Sequence, residues 1–596
     1  MNKNRVTLIN SIKNSGHILS LAFKTSPGYV ICRALMGLVT GMKHGFEIYF
    51  TSMVLNAIDR GESLAQILQP ICLMALFWAL YYLIYHLYWN LLNARQKLDF
   101  QHRVHKKFFH KAGELDLAAY DSPEFYNDFI YAMRNCEAVM VRTNDCLGDM
   151  IRSIAGSTSV FAVLLTIKPM IAALILGVAA INMVFRYFKN LIDYKYHQLL
   201  QEQYRKSWYI DRFFSLADFA KEIRLTGVAD NLRQEHRRVV DDTRRLTVKG
   251  NQAGFAFTFI VDLLSFVSES FIILYMSKLL FDGSILVGAF AITIQSIWKM
   301  NNMISDITAQ FTKLGRDALY IDKVRTFFAT EPTIRSGERV PEPFRSLELK
   351  NVSFAYQDKP VLKNVSLRIE QGDRIAIVGY NGAGKTTLIK LILRLYDVDG
   401  GEILYNGHNI KEYRLDLLRQ RMGAVFQDYR IFAATVAENV LADRYTSDQE
   451  ALVLQALSDS TFSEKLETLP NGIHTELTRE FYKDGTDLSG GEAQKIAIAR
   501  VFAHKNDLII MDEPSSALDP MAEYQLNQSI AKNAKEKTVI FISHRLSTTR
   551  RSDRIYMFEN GTLTEQGSHN QLIEQNGSYA KMFNLQAENY RSNVNQ

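Results

Sequence analysis

The nine residues from Gly379 to Thr387 read GYNGAGKTT. They follow an apolar run, Ile375 to Val378, and precede an amphipathic one, Leu388 to Leu395, which predicts a strand, a glycine loop and the start of a helix. Glycines at this spacing let the backbone N–H groups point inward at the positive end of a helix dipole. Lys385 can then reach the β and γ phosphates of a nucleotide, and the Thr386 hydroxyl can bind Mg²⁺. The stretch predicts a phosphate-binding loop.

Two carboxylates follow a second apolar run. Leu508 to Met511 leads directly into Asp512, a ligand for Mg²⁺, and Glu513, which is placed to polarise a water for attack on the γ phosphate. A buried strand that ends in two carboxylates has no packing explanation. Residues 488–492, LSGGE, begin another helix whose N-terminal amides form a second anion-binding end. His544 ends a further apolar strand and could contact the γ phosphate.

Length and composition indicate more than one domain. The chain has 596 residues, which is too long for a single core. Its 47% hydrophobic and 22% charged residues, with a mean hydropathy of -0.09, are what an average over two unlike halves would give. The net charge of +6 comes from basic segments that flank apolar stretches, so it favours a membrane and gives no reason to infer a nucleic-acid partner.

The first half carries six apolar stretches, each near the ~20 residues that a membrane-spanning helix needs. They are Tyr29 to Leu55, Ile67 to Leu92, Ile151 to Ile167, Met170 to Phe188, Phe255 to Leu280 and Ile285 to Ile304. The two long connections, residues 93–150 and 189–254, are basic, so the positive-inside rule places them and both termini in the cytoplasm. These connections have helical spacing and almost no Gly or Pro, and we expect them to prolong the spans as helices.

Each long connection contains a candidate short helix. In the first, Asp121 and Ser122 precede a helix-initial Pro123, which predicts a helix near residues 121–131 that ends by Arg134. In the second, residues 219–227 predict a short helix ended by Gly227. The two helices either dock on another part of the protein or only reverse the chain.

Charged residues inside the spans are costly in hydrocarbon and should face the bundle interior, a wet cavity or the interface. They are Arg33, Lys43, His44, Glu47, His86, Asp262, Glu269 and Lys299. Lys43 and Glu47 are one helical turn apart, so they either neutralise each other or line a substrate path.

These patterns divide the chain into a transmembrane domain at residues 1–325, a linker at 326–346 and an ATPase domain at 347–596. The linker contains Pro332, Pro341 and Pro343 among charged residues. After it, helices alternate with apolar strands, which predicts an α/β domain built on a largely parallel sheet.

The second half, over about residues 345 to 585, resembles the nucleotide-binding domain of an ABC transporter, and the first half is similar to the all-α six-helix membrane domain of type I ABC exporters. The resemblance implies nucleotide contacts at Tyr356, Gly379, Asn381, Gly382, Gly384, Lys385, Thr386, Thr387, Ser489, Gly490, Gly491 and Asp519. It implies catalytic roles for Glu513, His544 and Gln427, and Mg²⁺ binding at Thr386, Gln427 and Asp512. Two features depart from the family: Glu492 replaces the commoner Gln, and Thr478 to Asp487 differs from the usual exporter sequence.

Residues 379–387 match the Walker A motif of this family, and Asp512 and Glu513 match Walker B. In this family two nucleotide domains face head to tail, and each ATP lies between the Walker motifs of one chain and the signature, here residues 489–491, of the other. One membrane half fused to one ATPase half therefore resembles a half-transporter of a bacterial plasma membrane, with ATP and Mg²⁺ as cofactors and membrane lipid around it. Because no catalytic residue is degraded, we expect a homodimer; a heterodimer with a homologous half-transporter is the alternative.

The substrate prediction rests on a further resemblance. Residues 481–495 and 513–520 resemble bacterial half-transporters that include lantibiotic-type peptide exporters, which favours export of a peptide. A lipid or drug-like amphiphile, exported or flipped, is the alternative. A nucleotide-gated channel or sensor would be a different class, and intact Glu513 and His544 argue against it because a gate alone does not need fast turnover. The six predicted spans exclude a soluble DNA-repair ATPase.

Overall fold

The computed structural model describes residues 16, 19–167, 169–514, 518–533, 537–543 and 549–592. The chain separates into two compact units. The helical unit comprises Met1–Leu115 and Pro123–Glu331. The ATPase unit comprises Pro332–Gln596 together with a short segment from the first half, Asp116–Ser122.

In its described residues, the helical unit is built on six helices of more than thirty residues. The helices of the first half, with the short ones between them, are α1 (Pro27–Asp59), α2 (Leu64–Glu114), α3 (Leu117–Tyr120), α4 (Pro123–Ile167), α5 (Pro169–Ser215), α6 (Ala220–Leu225), α7 (Val228–Phe281) and α8 (Val287–Ala329). The α2 helix contains a π-helical turn at Leu87–Leu92. As expected, the long connections are continuous helical extensions of the apolar segments.

Four of the long helices are long and apolar enough to cross a membrane by length and composition: α2, α5, α7 and the Asn135–Ile167 part of α4. Six spans were predicted, and the remaining two candidates, α1 and α8, do not meet the same criterion of hydropathy and charge. Both carry charged side chains in their apolar stretches, such as Lys43 in α1 and Lys299 in α8. Their polar groups need partners inside the unit, because lipid offers none.

The prediction of a separate short helix near residues 121–131 was wrong. A helix does begin at Pro123, but it continues without a break to Ile167. No Gly or Pro occurs between Glu124 and Leu147 to end it. The short helix of this connection is α3, a single turn just before Pro123. In the second connection, α6 covers most of the predicted range and stops at Leu225, two residues before Gly227.

The structure does not join Lys43 and Glu47 in a direct ion pair. Glu47 instead accepts a hydrogen bond from the Lys299 Nζ at 2.8 Å, which ties α1 to α8. The Lys43 ammonium lies over the rings of Trp78 and Tyr81, 4.4 and 4.9 Å from their centroids. An aromatic face stabilises a cation in this way, so Lys43 and Glu47 are each satisfied by another helix of the unit.

The ATPase unit contains two sheets in the described residues. Its strands are β1 (Ser346–Tyr356), β2 (Lys359–Glu370), β3 (Arg374–Gly379), β4 (Gly400–Tyr405), β5 (His408–Asn409), β6 (Met422–Val425), β7 (Leu508–Asp512), β8 (Thr538–Ile542), β9 (Arg554–Glu559) and β10 (Thr562–Gly567). The first sheet is antiparallel with the order β2-β1-β4-β5. The second has the order β10-β9-β3-β8-β7-β6 and is parallel except for β10. This is the largely parallel α/β sheet that the sequence predicted.

The helices of the ATPase unit flank these sheets. They are α9 (Lys385–Ile392), α10 (Leu415–Gln420), α11 (Val436–Leu441), α12 (Glu450–Asp459), α13 (Ser463–Glu467), α14 (Gly490–Phe502), α15 (Pro520–Asn533), α16 (His569–Glu574) and α17 (Ser578–Ser592).

The register of the parallel sheet brings distant motifs to one edge. Ile542 at the end of β8 pairs with Ile377 of β3 on one side and with Asp512 of β7 on the other. The carboxyl ends of three neighbouring strands therefore lie side by side. Strands β7 and β8 are buried along their whole length, so this edge is fixed by the core and not by the loops.

Candidate functional site

The glycine loop follows β3 and ends where α9 begins at Lys385, as predicted. Gly382 and Gly384 have φ angles of +82° and +95°, which residues with a side chain rarely adopt. A Cβ on Gly384 would also lie 2.7 Å from Cδ2 of Leu362. The loop thus needs glycine at Gly384 for both its backbone conformation and its packing. Asn381 is exposed at the tip of the loop.

The two residues that begin α9 make different contacts. The Lys385 Nζ donates hydrogen bonds to the carbonyl oxygens of Gly379 at 2.8 Å and Tyr380 at 3.0 Å, so the ammonium folds over the loop. Burial lowers the pKa of Lys385, although the carboxylates of Glu513 and Asp512 oppose this. The Thr386 hydroxyl donates to Oδ2 of Asp512 at 3.0 Å. Motifs 126 positions apart in sequence therefore meet directly.

Asp512 is only 4% exposed. Burial raises the pKa of its carboxyl and the neighbouring Glu513 adds to the effect, while the Thr386 hydroxyl and the Lys385 ammonium oppose it. A carboxylate can accept about four hydrogen bonds, so a group with one hydroxyl partner in the described part of the chain retains lone pairs there. Those lone pairs are available to a cation at the end of the phosphate-binding loop.

Glu513 is held in an unusual backbone conformation. Its φ is +50°, although it is not a glycine. Two hydrogen bonds fix this residue: its N–H donates to Ile542 O at 2.9 Å, and the Gln494 Nε2 donates to its carbonyl oxygen at 3.1 Å. The Gln427 Nε2 donates to Oε2 of Glu513 at 3.3 Å. The structure therefore brings the predicted catalytic residues Gln427 and Glu513 together.

Oxygen donors suited to a hard divalent cation converge at this edge: the Thr386 hydroxyl, the Asp512 carboxylate and the side-chain amide of Gln427. Within the described ranges, no three His, Cys, Asp or Glu side chains cluster to hold a metal ion on their own. The donors present fit a cation such as Mg²⁺ that completes its shell with nucleotide phosphates and water.

Tyr356, one of the predicted nucleotide contacts, ends β1 beside the loop. Its ring packs edge-on against Phe354 and Tyr396, with centroid distances of 5.0 and 5.3 Å. The Thr387 hydroxyl lies 3.5 Å from its phenol oxygen. The residue is half-buried, so part of it remains open to a ligand.

The signature residues begin α14, as predicted. The Ser489 hydroxyl accepts the Glu492 N–H, and Oε2 of Glu492 accepts the Ser489 N–H at 2.8 Å, which forms a capping box. Lys465 pairs with the other Glu492 oxygen at 3.0 Å. Burial acts to raise the pKa of Glu492, but its bonds to Ser489 and Lys465 outweigh this and lower it. Gly490 and Gly491 form the first turn of the helix.

The remaining predicted residues lie past Glu513. Asp519 accepts hydrogen bonds from the N–H groups of Ala522 at 2.9 Å and Met521 at 3.0 Å, and these bonds lower the pKa of its carboxyl. The structure therefore places Asp519 as the cap of α15. His544 lies outside the described residues.

Comparisons with known proteins agree with this geometry. The profile of the family described as "ABC transporter" matches residues 362–516. The ATP-dependent lipid A-core flippase of Haemophilus influenzae (strain 86-028NP) is 31% identical over 434 residues, which cover 71% of this chain and 70% of that protein. The chain belongs to the ABC transporter family. The subtilin transport ATP-binding protein SpaT of Bacillus subtilis is 29% identical over 507 residues, which cover 84% of this chain and 81% of that protein.

The fold of this ABC transporter is that of an exporter. A solved structure of a bacterial Atm1-family ABC exporter with ATP bound matches with a TM-score of 0.74 and 22% identity, over 94% of this chain and 98% of that one. The transporter is thus a membrane protein whose helical part is fused to an ATPase, and it couples ATP hydrolysis to transport. The predicted family, fold class and enzyme class are confirmed.

Sequence reasoning missed several residues of the transporter's ATP site. Gln494 fixes the backbone of Glu513, and Lys465 neutralises Glu492. Tyr429 donates a hydrogen bond from its hydroxyl to Gly490 O at 2.6 Å, linking the segment after Gln427 to the signature helix. Gln494 could have been predicted, because it lies in the second turn of a helix whose first residues the sequence had already identified. Nothing local in the sequence indicates the partners of Lys465 and Tyr429.

The segment Asp116–Ser122 belongs to the ATPase unit, although its sequence neighbours do not. Leu117 packs against the core of the α/β sheet. The Asp116 carboxylate accepts hydrogen bonds from the Thr333 hydroxyl at 2.7 Å and the Ile334 N–H at 3.0 Å. The hydroxyl of Tyr396, the ring beside Tyr356, donates to the Asp121 carboxylate.

Proposed function

We propose that this ABC transporter is a homodimer that exports a peptide across the cytoplasmic membrane, with the ATPase units and both termini in the cytoplasm. The proposal includes all six long helices as spans, so that the apolar parts of α1 and α8 line the interior with their polar side chains. The segment Asp116–Ser122 and the helix α6 then pass nucleotide-driven motion to the spans. The alternative is a heterodimer with a homologous half-transporter.

The catalytic roles follow from the contacts at the sheet edge. Loop glycines and Lys385 bind the phosphates, and Thr386, Asp512 and Gln427 hold Mg²⁺. The metal supplies charge neutralisation at the phosphates when it is bound. Glu513 accepts the proton of the attacking water, with its orientation set by Gln427 and by its strained backbone. His544 is assigned to the γ phosphate from the family pattern.

The contact set of Asp512 and Glu513 is the observation that carries the homodimer. Asp512 and Glu513 are neighbours at the end of β7. In each chain Asp512 accepts a hydrogen bond from Thr386, and Glu513 accepts one from Gln427. A chain that relied on the ATP site of a different partner chain would not have to keep these two contacts. Two identical copies supply each other's signature residues and yield two working sites.

The peptide proposal is supported by the relative that is named for the transport of subtilin, a peptide, and that aligns over 84% of this chain. The lipid A-core flippase aligns over 71%, so a lipid substrate is the competing proposal. Transport of either kind requires ATP to bind the closed dimer better than the open one, and the substrate to lose affinity as the cavity turns outward.

The proposed function is tested by ATP hydrolysis of the purified chain in lipid nanodiscs. We expect vanadate-sensitive turnover that Glu513→Gln reduces by about 10²-fold or more, because the general base is lost while nucleotide still binds. Addition of peptides, but not of amphiphilic lipids, should raise the wild-type rate.

Glu467→Gln serves as the control, since this exposed glutamate on α13 lies outside the site. A purified chain that binds ATP but scarcely hydrolyses it would contradict the homodimer with two working sites. If lipids but not peptides raised the rate of ATP hydrolysis, the proposed substrate would be an amphiphile and not a peptide.

A further inference from the structure

Two neighbouring cavities lie among the helices of the helical unit, around the ends of the predicted spans that adjoin the long basic connections. The larger, of about 640 Å³, is lined by α5, α7 and α8, and includes Asn190, Asn251 and Thr312. The smaller, of about 420 Å³, lies between α4, α5 and α8. Both are lined by His197 and Lys313, so the two cavities meet at these side chains. Together they have the size of a small-ligand site whose walls are mostly apolar, with polar side chains where the two cavities meet.

Lys313 is the cation of this site that remains available to a ligand. The acidic side chains around it already have partners: Arg142 binds Asp317 through two nitrogens at 3.0 and 3.3 Å, and Lys189 binds Asp193 at 2.8 Å. In the described part of the chain Lys313 makes no ion pair and no side-chain hydrogen bond. An exposed ammonium at the junction of two cavities attracts an anionic group.

The two other acidic side chains that line the smaller cavity, Asp145 and Asp149, also have a basic partner, Arg33. Asp149 accepts a hydrogen bond from Nη2 of Arg33 at 2.7 Å, and Asp145 accepts one from its Nε at 3.3 Å. One guanidinium, that of Arg33, thus serves two carboxylates, so the walls carry one excess negative charge before Lys313 is counted and none with it. The site therefore suits a ligand with one carboxylate better than a polyanion.

Gln310 provides the second indication of a ligand. It is 5% exposed, lines the smaller cavity, and its Oε1 is buried without a hydrogen-bond partner among the described residues. A buried acceptor with no donor is costly, and a ligand N–H that reached it would remove that cost. Gln310 and Lys313 are three residues apart on α8, so they lie on one face of the helix.

We propose that these cavities bind the C-terminal end of the exported peptide, with Lys313 pairing with its terminal carboxylate and the Gln310 carbonyl accepting one of its backbone N–H groups. A peptide end offers a carboxylate and N–H donors within a few ångströms of each other, whereas an acyl chain offers no N–H donor. Leu200 and Phe255 in the larger cavity provide apolar surface for peptide side chains. The assignment rests on the proposed export of peptides, and it adds which end of the peptide the transporter binds.

The test uses the full chain in nanodiscs and a random decapeptide library synthesised twice, with free C-termini and with C-terminal amides. Ligand-stimulated ATP hydrolysis and thermal stabilisation are measured for both. We expect the free acids to act at about tenfold lower concentration than the amides on the wild type. The difference should vanish in Lys313→Ala and persist in Lys206→Ala, which removes an exposed lysine of α5 that pairs with Glu202.

Gln310→Met provides an independent variant, because it keeps the side-chain volume but removes the acceptor. It should weaken both libraries equally and leave the difference between acid and amide intact. Equal potency of the two libraries on the wild type, or an acid preference that survives in Lys313→Ala, would overturn the proposal. If hydrolysis depends on Glu513 but neither library acts, the peptide site is refuted while the ATPase remains; if no Glu513-dependent hydrolysis exists, the proposed function itself fails.

Discussion

Only 4% of Asp512 is exposed, and among the described residues the hydroxyl of Thr386, at 3.0 Å, is the hydrogen-bond partner of its carboxylate. Burial of a carboxylate with so few partners destabilises the folded protein unless a cation arrives. The residue is therefore expected to contribute to nucleotide binding at the expense of the stability of the nucleotide-free form.

Asp512→Asn should raise the thermal midpoint of the nucleotide-free protein at neutral pH, because a neutral amide can still accept the Thr386 hydroxyl hydrogen bond. The raised pKa of Asp512 fixes the sign of the pH effect: the wild type loses stability as pH rises through that pKa, so the advantage of the variant should shrink on acidification. Hydrolysis should fall by about 10²-fold or more. Thermal scans with and without Mg²⁺ and ATP, together with an ATPase assay, measure these effects.

Asp459→Asn provides the control for this variant. Asp459 ends α12 and lies outside the ATP site, so its replacement removes one carboxylate from the same unit. Hydrolysis should remain at the wild-type rate in this protein. An equal loss of hydrolysis in both variants would contradict a specific role of Asp512.

At the scale of elements, the segment Asp116–Ser122 is attached to the ATPase unit near both of its ends. Asp116 binds the chain at Thr333 and Ile334, and Asp121 accepts the hydroxyl of Tyr396. Burial and the Asp121 carboxylate raise the pKa of Tyr396, so its hydroxyl stays protonated and remains a donor. Since Tyr396 also packs on Tyr356, a single side chain connects the segment to this predicted nucleotide contact.

Tyr396→Phe should loosen this segment without changing the ring packing around Tyr356. A hydrogen bond to a charged group contributes about 1.5–3 kcal/mol, so backbone amides of α3 should exchange with solvent at least about tenfold faster. Hydrogen exchange followed by mass spectrometry measures this in the full chain.

Tyr413→Phe is the matched control, because the Tyr413 hydroxyl donates at 2.8 Å to Tyr405 O, a partner outside the segment. Exchange in α3 should be the same in this variant as in the wild type. If both variants leave α3 unchanged, the Tyr396 hydroxyl does not hold the segment.

At the scale of the whole molecule, the homodimer predicts that one defective copy affects its partner. Two differently tagged forms of the chain, one wild type and one Glu513→Gln, should be recovered together when they are co-expressed. Because each proposed site uses residues of both copies, the mixed dimer should hydrolyse ATP at half the wild-type rate or less. Tandem purification followed by an ATPase assay measures this.

A mixture of wild type with Glu467→Gln should retain the full rate. Failure to recover the two tags on one particle, together with an inactive purified chain, would indicate that a different half-transporter is required.

The sequence by itself determined the ATP site to a large extent. The loop at 379–387, the carboxylates at 512–513 and the signature at 488–492 are local patterns, and each is tied to one strand or helix by nearest-neighbour geometry. Sequence periodicity likewise predicted continuous helices in the first half, because apolar spacing and the lack of Gly and Pro act within a few turns.

Only the tertiary structure decided which side chains meet. Glu47 pairs with Lys299 across 252 positions rather than with Lys43 one turn away, and Asp121 meets Tyr396 across 275. Such partners depend on how whole helices and strands pack, and packing energy sums over many distant contacts that no local pattern contains.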